Sequence, residues 1–430
     1  MIKRTYIKDI ASLVGQETSI VGFAQTIRAQ SKIAFLLVRD VTGILQTVIT
    51  IEQPEAFEIS SGLSTESVVK VTGLVKEAKQ AIGGFEIEAT TIEVISAADA
   101  QLPIPIVDKK GGEETEAPTR FDYRWLDLRK PEKLQIFKVW TELEKGFREY
   151  WDQNNFLEIY TPSFMSTPSE TGAEVFEVNY FDRKAYLAQS PQFYKQMAMA
   201  SGFERVFMAG PVFRAELSFT TRHLTEFTGW DFEMSYIESH HDIMDAEEGM
   251  IISGFTRLTE KFPELNVVVP TSPFPRITML EAKAILAERG VVSGEEHDLS
   301  PEEERAISEY VQEKYNHEFV FITEYHVSKS AFYHMRNEDG RGKRADLLYK
   351  GIEVTTLAQR EHRIEILEKQ AIEKGMSLEA LKDYLNFFRW GCPPHGGAGI
   401  GPGRFIMKIL DLPNVREATY LPRDVKRLNP

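Results

Sequence analysis

The sequence predicts an α+β chain in two parts, a small N-terminal β-barrel and a larger domain in which helices flank an antiparallel sheet. Three observations predict it. Residues 1–102 are short runs that alternate apolar and polar positions. From Pro131 the period lengthens to that of amphipathic helices, interspersed with strand-like runs. Strands and helices do not alternate regularly, which argues against a doubly wound parallel sheet.

The barrel follows from five runs in order: SIVGFAQTI, KIAFLLVRD, ILQTVITI, SVVKVTGLVKEA and FEIEATTIEVI. They are rich in Val, Ile and Thr, and turn signals at Thr42-Gly43 and Gly83-Gly84 separate two of the pairs. Five strands at this spacing suit a small closed barrel of the oligonucleotide-binding kind. The stretch 102–120 concentrates Pro, Gly and charge without periodicity and reads as a linker, so the domains are expected at 1–102 and 131–430 with 103–130 as hinge. The larger domain opens on a helix, KLQIFKVWTELEKGFREYWDQN, whose apolar positions recur at three and four residues. Strand-like runs follow at KAYLAQS, RVFMAGPVFRAE, FTGWDFEMSYI, GIEVTTLA and GIGPGRFIMKIL.

Composition removes several classes. The chain has 430 residues, room for one large and one small domain at roughly 150 residues each. Its 27 Phe, 15 Tyr and 5 Trp are far more than a disordered chain carries. No run of about 18 apolar residues occurs, and the start, MIKRTYIKDIASLVG, lacks a signal core. A cytoplasmic protein without membrane contact is therefore expected. A single cysteine, Cys392, excludes a disulfide framework or a thiolate metal cluster. The net charge of -15 argues against a general coat of nucleic-acid-binding charge, and leaves room for a local basic track. Residues 1–100 hold 9 basic and 12 acidic residues, so the barrel is the less acidic part.

The common phosphate-loop signatures fail: GxxxxGK[ST] is absent, and in GGAGIGPGR the last position of GxGxxG is Pro402. The glycines of that run still let backbone pass close to a flat ligand and end on Arg404. The stretch PVFRAELSFTTRHLTEFTGWDFEM sets Arg214, Glu216, Arg222 and His223 beside Phe227. Guanidiniums grip phosphate oxygens in pairs and a ring stacks on a base, so this composition suits a nucleotide polyphosphate. A solvated surface hairpin would read the same way.

With these residues in view the chain resembles the class II aminoacyl-tRNA synthetases, and among them the aspartyl-tRNA synthetases of the compact archaeal and eukaryotic type. The family's first motif is similar to the helix from Lys133 with NFLEIYTPSF and Pro162, the second to Phe213-Arg214-Ala215-Glu216, and the third to GAGIGPGR with Arg404. The Lys of QSPQFYKQ, Lys195, and Asp231 of GWDFEM match the aspartyl rather than the asparaginyl pattern. No insertion of the bacterial size separates motifs two and three.

The resemblance implies roles. Lys195 and Arg360 of QREHR face the substrate's β-carboxylate, and Glu170, Gln192 and Asp231 receive its α-ammonium. Arg214 contacts the α-phosphate of ATP, Glu216 the adenine, and Phe227 stacks beneath it. Arg222, His223 and Arg404 hold the outer phosphates; Asp346 and Glu353 bind Mg²⁺, Glu353 beside the ATP. Arg214 and Arg404 are the catalytic cations. In the barrel, Phe35 stacks on an anticodon base while Gln46 and Glu86 read edges; without the resemblance Phe35 would be read as barrel core. Implied partners are L-aspartate, tRNA(Asp) and a second copy of the chain, since the first motif forms the family's dimer interface.

The region Phe23–Arg28 is expected to decide whether tRNA(Asn) is also charged. Gln25, an amide able to offer both donor and acceptor, points toward relaxed recognition. Three departures stand out. Gly403 replaces the Glu that usually precedes the motif-three Arg, with looser ATP binding expected. Leu357-Ala358 replaces small residues and is expected to crowd the amino-acid pocket, and Ala331 stands where Pro is frequent. They leave as alternatives a tRNA-independent amide ligase using an aspartyl-adenylate, an asparaginyl-type paralogue, and a noncatalytic RNA-binding protein.

Overall fold

The computed structural model describes residues 2–107, 113–169 and 175–430, and divides into two compact units at Lys130 and Pro131. In the first unit, β1 (Glu17–Ala29), β2 (Ile33–Asp40), β3 (Gly43–Thr50), β4 (Val68–Glu77) and β5 (Phe85–Ser96) close a barrel in the order β1-β2-β3-β5-β4. Alternation decides which residues face inward: Ala34, Leu36 and Val38 of β2 are buried, while Phe35 and Leu37 lie on the outer face and stay partly exposed. A helix the sequence reading passed over, α1 (Pro54–Gly62), joins β3 to β4. Two short helices, α2 (Ala117–Asp122) and α3 (Arg124–Asp127), occupy the stretch read as linker.

The second unit opens on α4 (Pro131–Gln153), whose buried face is Ile136, Val139, Leu143, Phe147 and Trp151. After it come β6 (Leu157–Glu158), β7 (Phe164–Met165), β8 (Glu177–Tyr180), β9 (Arg183–Leu187), α5 (Gln192–Ala200), β10 (Arg205–Phe213), β11 (Glu226–Ser235) and α6 (His240–Lys261). Helices α4 and α6 cross where two glycines meet: a Cβ on Gly146 would lie 2.6 Å from Gly254 Cα. The remaining elements are β12 (Arg276–Thr278), α7 (Met279–Glu288), α8 (Pro301–Tyr315), β13 (Phe319–Thr323), β14 (Arg344–Tyr349), β15 (Ile352–Gln359), α9 (Ile364–Glu373), α10 (Lys382–Arg389), β16 (His395–Ile400) and α11 (Pro402–Ile409).

Eight strands form one sheet, β12-β13-β14-β15-β16-β11-β10-β6. The expected antiparallel order holds across its centre, but both edge pairs, β12 with β13 and β10 with β6, are parallel. The core on one face is largely aromatic, with Phe147, Trp151, Trp230, Phe255, Phe319 and Phe405 packed edge-on or stacked. Its removal from water, at about 25 cal/mol per Å² of apolar surface, fixes the sheet whose other face carries the site.

Candidate active site

Three neighbouring strands, β11, β16 and β15, form the floor of a cavity of about 1270 Å³. Glycine makes the floor flat. A Cβ on Gly397 would meet Phe232 O at 2.1 Å and Glu233 Oε2 at 2.4 Å, so no side chain can stand there. The walls come from α5 and from the β10–β11 hairpin, and walls and floor together gather Gln192, Lys195, Arg214, Glu216, Arg222, His223, Phe227, Asp231, Glu353, Arg360 and Arg404, residues spread over about half of the sequence.

At one end lies a buried charge cluster. The Lys195 ammonium donates to Asp231 Oδ2 at 2.8 Å and Ala398 O at 3.0 Å, and lies 3.3 Å from Glu233 Oε2. Arg360 donates Nε to Glu233 Oε1 at 3.0 Å and Nη2 to Gly397 O at 2.9 Å. Burial alone would lift the Glu233 carboxyl, but Arg360 and then Lys195 overcome it and hold it below the usual carboxylate range. The sequence reading missed Glu233. A signal existed: in a strand, Asp231 and Glu233 share one face.

Behind this cluster a hydrogen-bond chain orients Gln192. Its Nε2 donates to Gln196 Oε1 at 2.9 Å, the oxygen that also accepts from Tyr384 Oη at 3.0 Å. The Gln196 amide donates in turn to His395 Nε2 at 3.0 Å, because His395 Nδ1 is the nitrogen that donates to Pro393 O at 2.8 Å. Burial pushes His395 down to about 4, so the ring is neutral and this tautomer is self-consistent. This bond engages one of the two N–H groups and fixes the amide, and the carbonyl oxygen is the group able to accept from a cation.

The other end is cationic. Arg214 lies over the Phe227 ring at 5.6 Å and 3.7 Å from Glu216. His223 is pushed down to about 4, by burial first and then by Arg404 and Arg222, and shares a 2.7 Å hydrogen bond between Nδ1 and Thr220 Oγ1. Arg404 donates to Glu353 O at 2.7 Å and Oε1 at 3.3 Å. Asp346 is buried just behind the wall, with Oδ2 taken by Arg344 at 2.7 Å and Oδ1 without a partner among the described residues.

Two expectations need correcting. The missing Glu at 403 does not leave Arg404 unsupported, since Glu353 holds it through both carbonyl and carboxylate. A side chain at Gly403 would also press on Val415, at 3.0 Å from its Cβ. Leu357 does not crowd the cavity, because it turns to the opposite face of β15 and joins the core, and neither it nor Ala358 lines the cavity. Ala331 does line it. Glu170 lies outside the described residues.

On the barrel, Phe35 is on the outer face rather than in the core. Gln46 and Glu86 face each other on paired strands, Nε2 to Oε2 at 2.8 Å. Gln25 differs from expectation: Arg39 Nη1 donates to its Oε1 at 3.0 Å while holding Glu66 through two bonds of 3.1 and 2.8 Å. The amide is thus oriented, with Nε2 as the group left to offer rather than either end.

Residues 116–425 match the family described as tRNA synthetases class II (D, K and N), and residues 18–95 the OB-fold nucleic acid binding domain. The chain is 42% identical over 448 residues to an aspartate–tRNA(Asp/Asn) ligase of Aeropyrum pernix, covering all of both chains. It is 40% identical over 433 residues to an aspartate–tRNA(Asp) ligase of Picrophilus torridus, covering 99% of this chain and all of that one. Among solved structures, asparaginyl-tRNA synthetase from Pyrococcus horikoshii complexed with asparaginyl-adenylate superimposes at a TM-score of 0.92, with 33% identity and full coverage of both chains.

Proposed function

The chain belongs to the class II tRNA synthetases of the D, K and N group, and on that premise we propose that it joins L-aspartate to tRNA by way of an aspartyl-adenylate formed in this cavity. It is a ligase, and the reaction is ATP-dependent aminoacylation of tRNA with aspartate. The observation that carries the choice of amino acid is the charge count at the buried end. Among the described residues, Lys195 and Arg360 are balanced by Asp231 and Glu233 before any substrate enters. Aspartate adds one carboxylate and one ammonium there and keeps the balance. Asparagine would leave a buried positive charge unmatched, which is costly in a desolvated site.

In this reading Asp231 and the Gln192 carbonyl receive the α-ammonium, while Lys195 and Arg360 take the β-carboxylate. The substrate's α-carboxylate then attacks the α-phosphorus; the new O–P bond forms as the bond to pyrophosphate breaks. Arg214 and Arg404 stabilise the charge that accumulates on the phosphate oxygens, so the protein contributes position and field rather than a covalent intermediate. In the second step the terminal adenosine hydroxyl of tRNA attacks the mixed anhydride and AMP leaves. Phe227 stacks on adenine in this reading, and the Arg214 guanidinium over its ring supports that role.

The donor set fits Mg²⁺. Asp346 offers an unpartnered oxygen and Glu353 opens on the cavity. No group of three His, Cys, Asp or Glu among the described residues could hold a metal alone, so the ion would take its remaining oxygens from phosphates and water. Its contribution there is to offset phosphate charge.

Phe35, Gln46 and Glu86 serve the anticodon, and the locked Gln25 amide favours relaxed choice between tRNA(Asp) and tRNA(Asn), because the two anticodons differ only at the final base, a pyrimidine in both, and either pyrimidine offers an acceptor to a donor. The chain acts as a homodimer. Exposed aromatics near the first motif, Tyr160 at 83% and Phe181 at 91%, support this surface as the interface. No helix among the described residues is long and apolar enough to cross a membrane. Charging of tRNA(Asp) transcript with labelled aspartate tests the proposal. AMP and aspartyl-tRNA should appear together, and aspartate-dependent AMP formation without acylated tRNA would favour the amide-ligase chemistry instead.

A further inference from the structure

Glu304 belongs to none of the three motifs. It sits in the first turn of α8, a helix begun by Ser300, whose hydroxyl and the Glu303 carboxylate cap each other's backbone amides, with Pro301 in the first turn. The cap and the proline fix where α8 starts, and so which side chain reaches inward. That side chain is Glu304, 6% exposed, and its carboxylate accepts a charged hydrogen bond from Arg222 Nη1, 82 residues away in sequence. Arg222 lines the phosphate end of the cavity beside His223, Glu353 and Arg404, whereas Glu304 stands behind it and does not line the cavity. Among the charges acting on Glu304, Arg222 and Arg404 favour its ionised form and Glu353 opposes it, and Lys408 is also within reach of its field.

We propose that Glu304 is a positioning residue for ATP, holding the Arg222 guanidinium at the phosphate end of the cavity before the nucleotide arrives. The inference rests on the ATP-site reading above. A free arginine samples many rotamers, and immobilising it on binding costs affinity. One nitrogen tied to a buried carboxylate removes that cost in advance and leaves the rest of the guanidinium's donors for phosphate oxygens.

The test is calorimetric titration of the intact protein with ATP and, separately, with aspartate, at about pH 8, where Glu304, pushed up to about 7 by burial, is ionised. Four proteins are compared with the parent: Glu304→Ala, Glu304→Gln, Arg222→Ala and the Arg222→Ala/Glu304→Ala double variant. Glu304→Ala should weaken ATP about tenfold, Glu304→Gln less, and both should leave aspartate binding within about twofold. In the Arg222→Ala background the Glu304 substitution should have no further effect. A fold-wide defect would instead lower Tm and weaken both ligands, which would overturn the proposal; if Glu304→Ala does not fold, Glu304→Gln carries the comparison. If Arg222→Ala leaves ATP affinity unchanged, the ATP-site reading itself fails. If Arg222→Ala weakens ATP but the Glu304 variants do not, or if Glu304→Ala weakens ATP equally without Arg222, the proposal alone is overturned.

Discussion

Arg360 grips Glu233 with two nitrogens, Nε to Oε1 at 3.0 Å and Nη2 to Oε2 at 3.4 Å, and neither residue is more than 3% exposed. The guanidinium that the family pattern assigns to the substrate is thus already anchored by a resident carboxylate. Its plane, and the direction of its remaining donors, are set before aspartate binds.

Replacing Arg360 by Lys keeps the charge that Glu233 needs and removes the fork. Arg360→Lys should therefore fold, with a Tm near that of the parent, yet lose about a hundredfold or more in kcat/KM for aspartate, roughly 2.7 kcal/mol. ATP KM should change little. Near-normal aspartate kinetics would mean that the side-chain carboxylate is read elsewhere.

Two buried carboxyls give opposite pH dependences. Glu233 titrates below the ordinary value of 4.5 in the folded chain, so its stabilisation is fully present above that pH and is lost as pH falls through its folded pKa. Glu247 on α6 is pushed up to about 8, by burial first and then by Glu248 and Asp346. Neither its oxygens nor the nearby Thr355 hydroxyl makes a well-formed hydrogen bond among the described residues. Its folded pKa is raised, so the stability it confers fades as pH rises from about 4.5 toward 8. Glu247→Gln should accordingly gain stability relative to the parent across that range, measured as Tm in a pH series. A constant offset at all pH values would contradict this.

The anticodon reading of Phe35 separates the two units. Phe35→Ala should leave tRNA-independent adenylate formation within about twofold while weakening charging by about 1–3 kcal/mol, the worth of one stacked base. Parallel loss of both would return Phe35 to a structural role.

The barrel was legible as five short runs rich in Val, Ile and Thr between turn signals, but not which side chains of Ile33–Val38 go in, since all six are apolar; the pleat buries Leu36 and Val38 and leaves Phe35 outside. Helix α1 was not, since PEAFEISSG has weak periodicity and carries Ser and Gly at its end. Of the site, Asp231 and Arg404 lie in motifs that a strand or a glycine run makes conspicuous, whereas Lys195, on helix α5, stood out only through the resemblance of QSPQFYKQ to the family. Glu233 was visible in principle, two residues from Asp231 on the same face. Glu304 was not, because nothing local to α8 tells that its first turn meets a hairpin loop 82 residues earlier. The effect of Leu357 was misjudged for a related reason: which face of β15 it takes depends on the register against β14, which shifts between Leu347 and Leu348.

Relaxed tRNA choice is expected from Gln25, whose carbonyl is occupied by Arg39. Transcripts of tRNA(Asp) and tRNA(Asn) should both accept aspartate, with kcat/KM values within about a hundredfold, roughly 2.7 kcal/mol. A larger preference for tRNA(Asp) would show that a strict reader operates at this face.

Selection of aspartate by charge balance at the buried end of the cavity is tested by ATP–pyrophosphate exchange measured in parallel with aspartate and with asparagine, without tRNA. Aspartate should stimulate exchange, with asparagine weaker by at least about a hundredfold in kcat/KM. Exchange stimulated equally well, or better, by asparagine would contradict it.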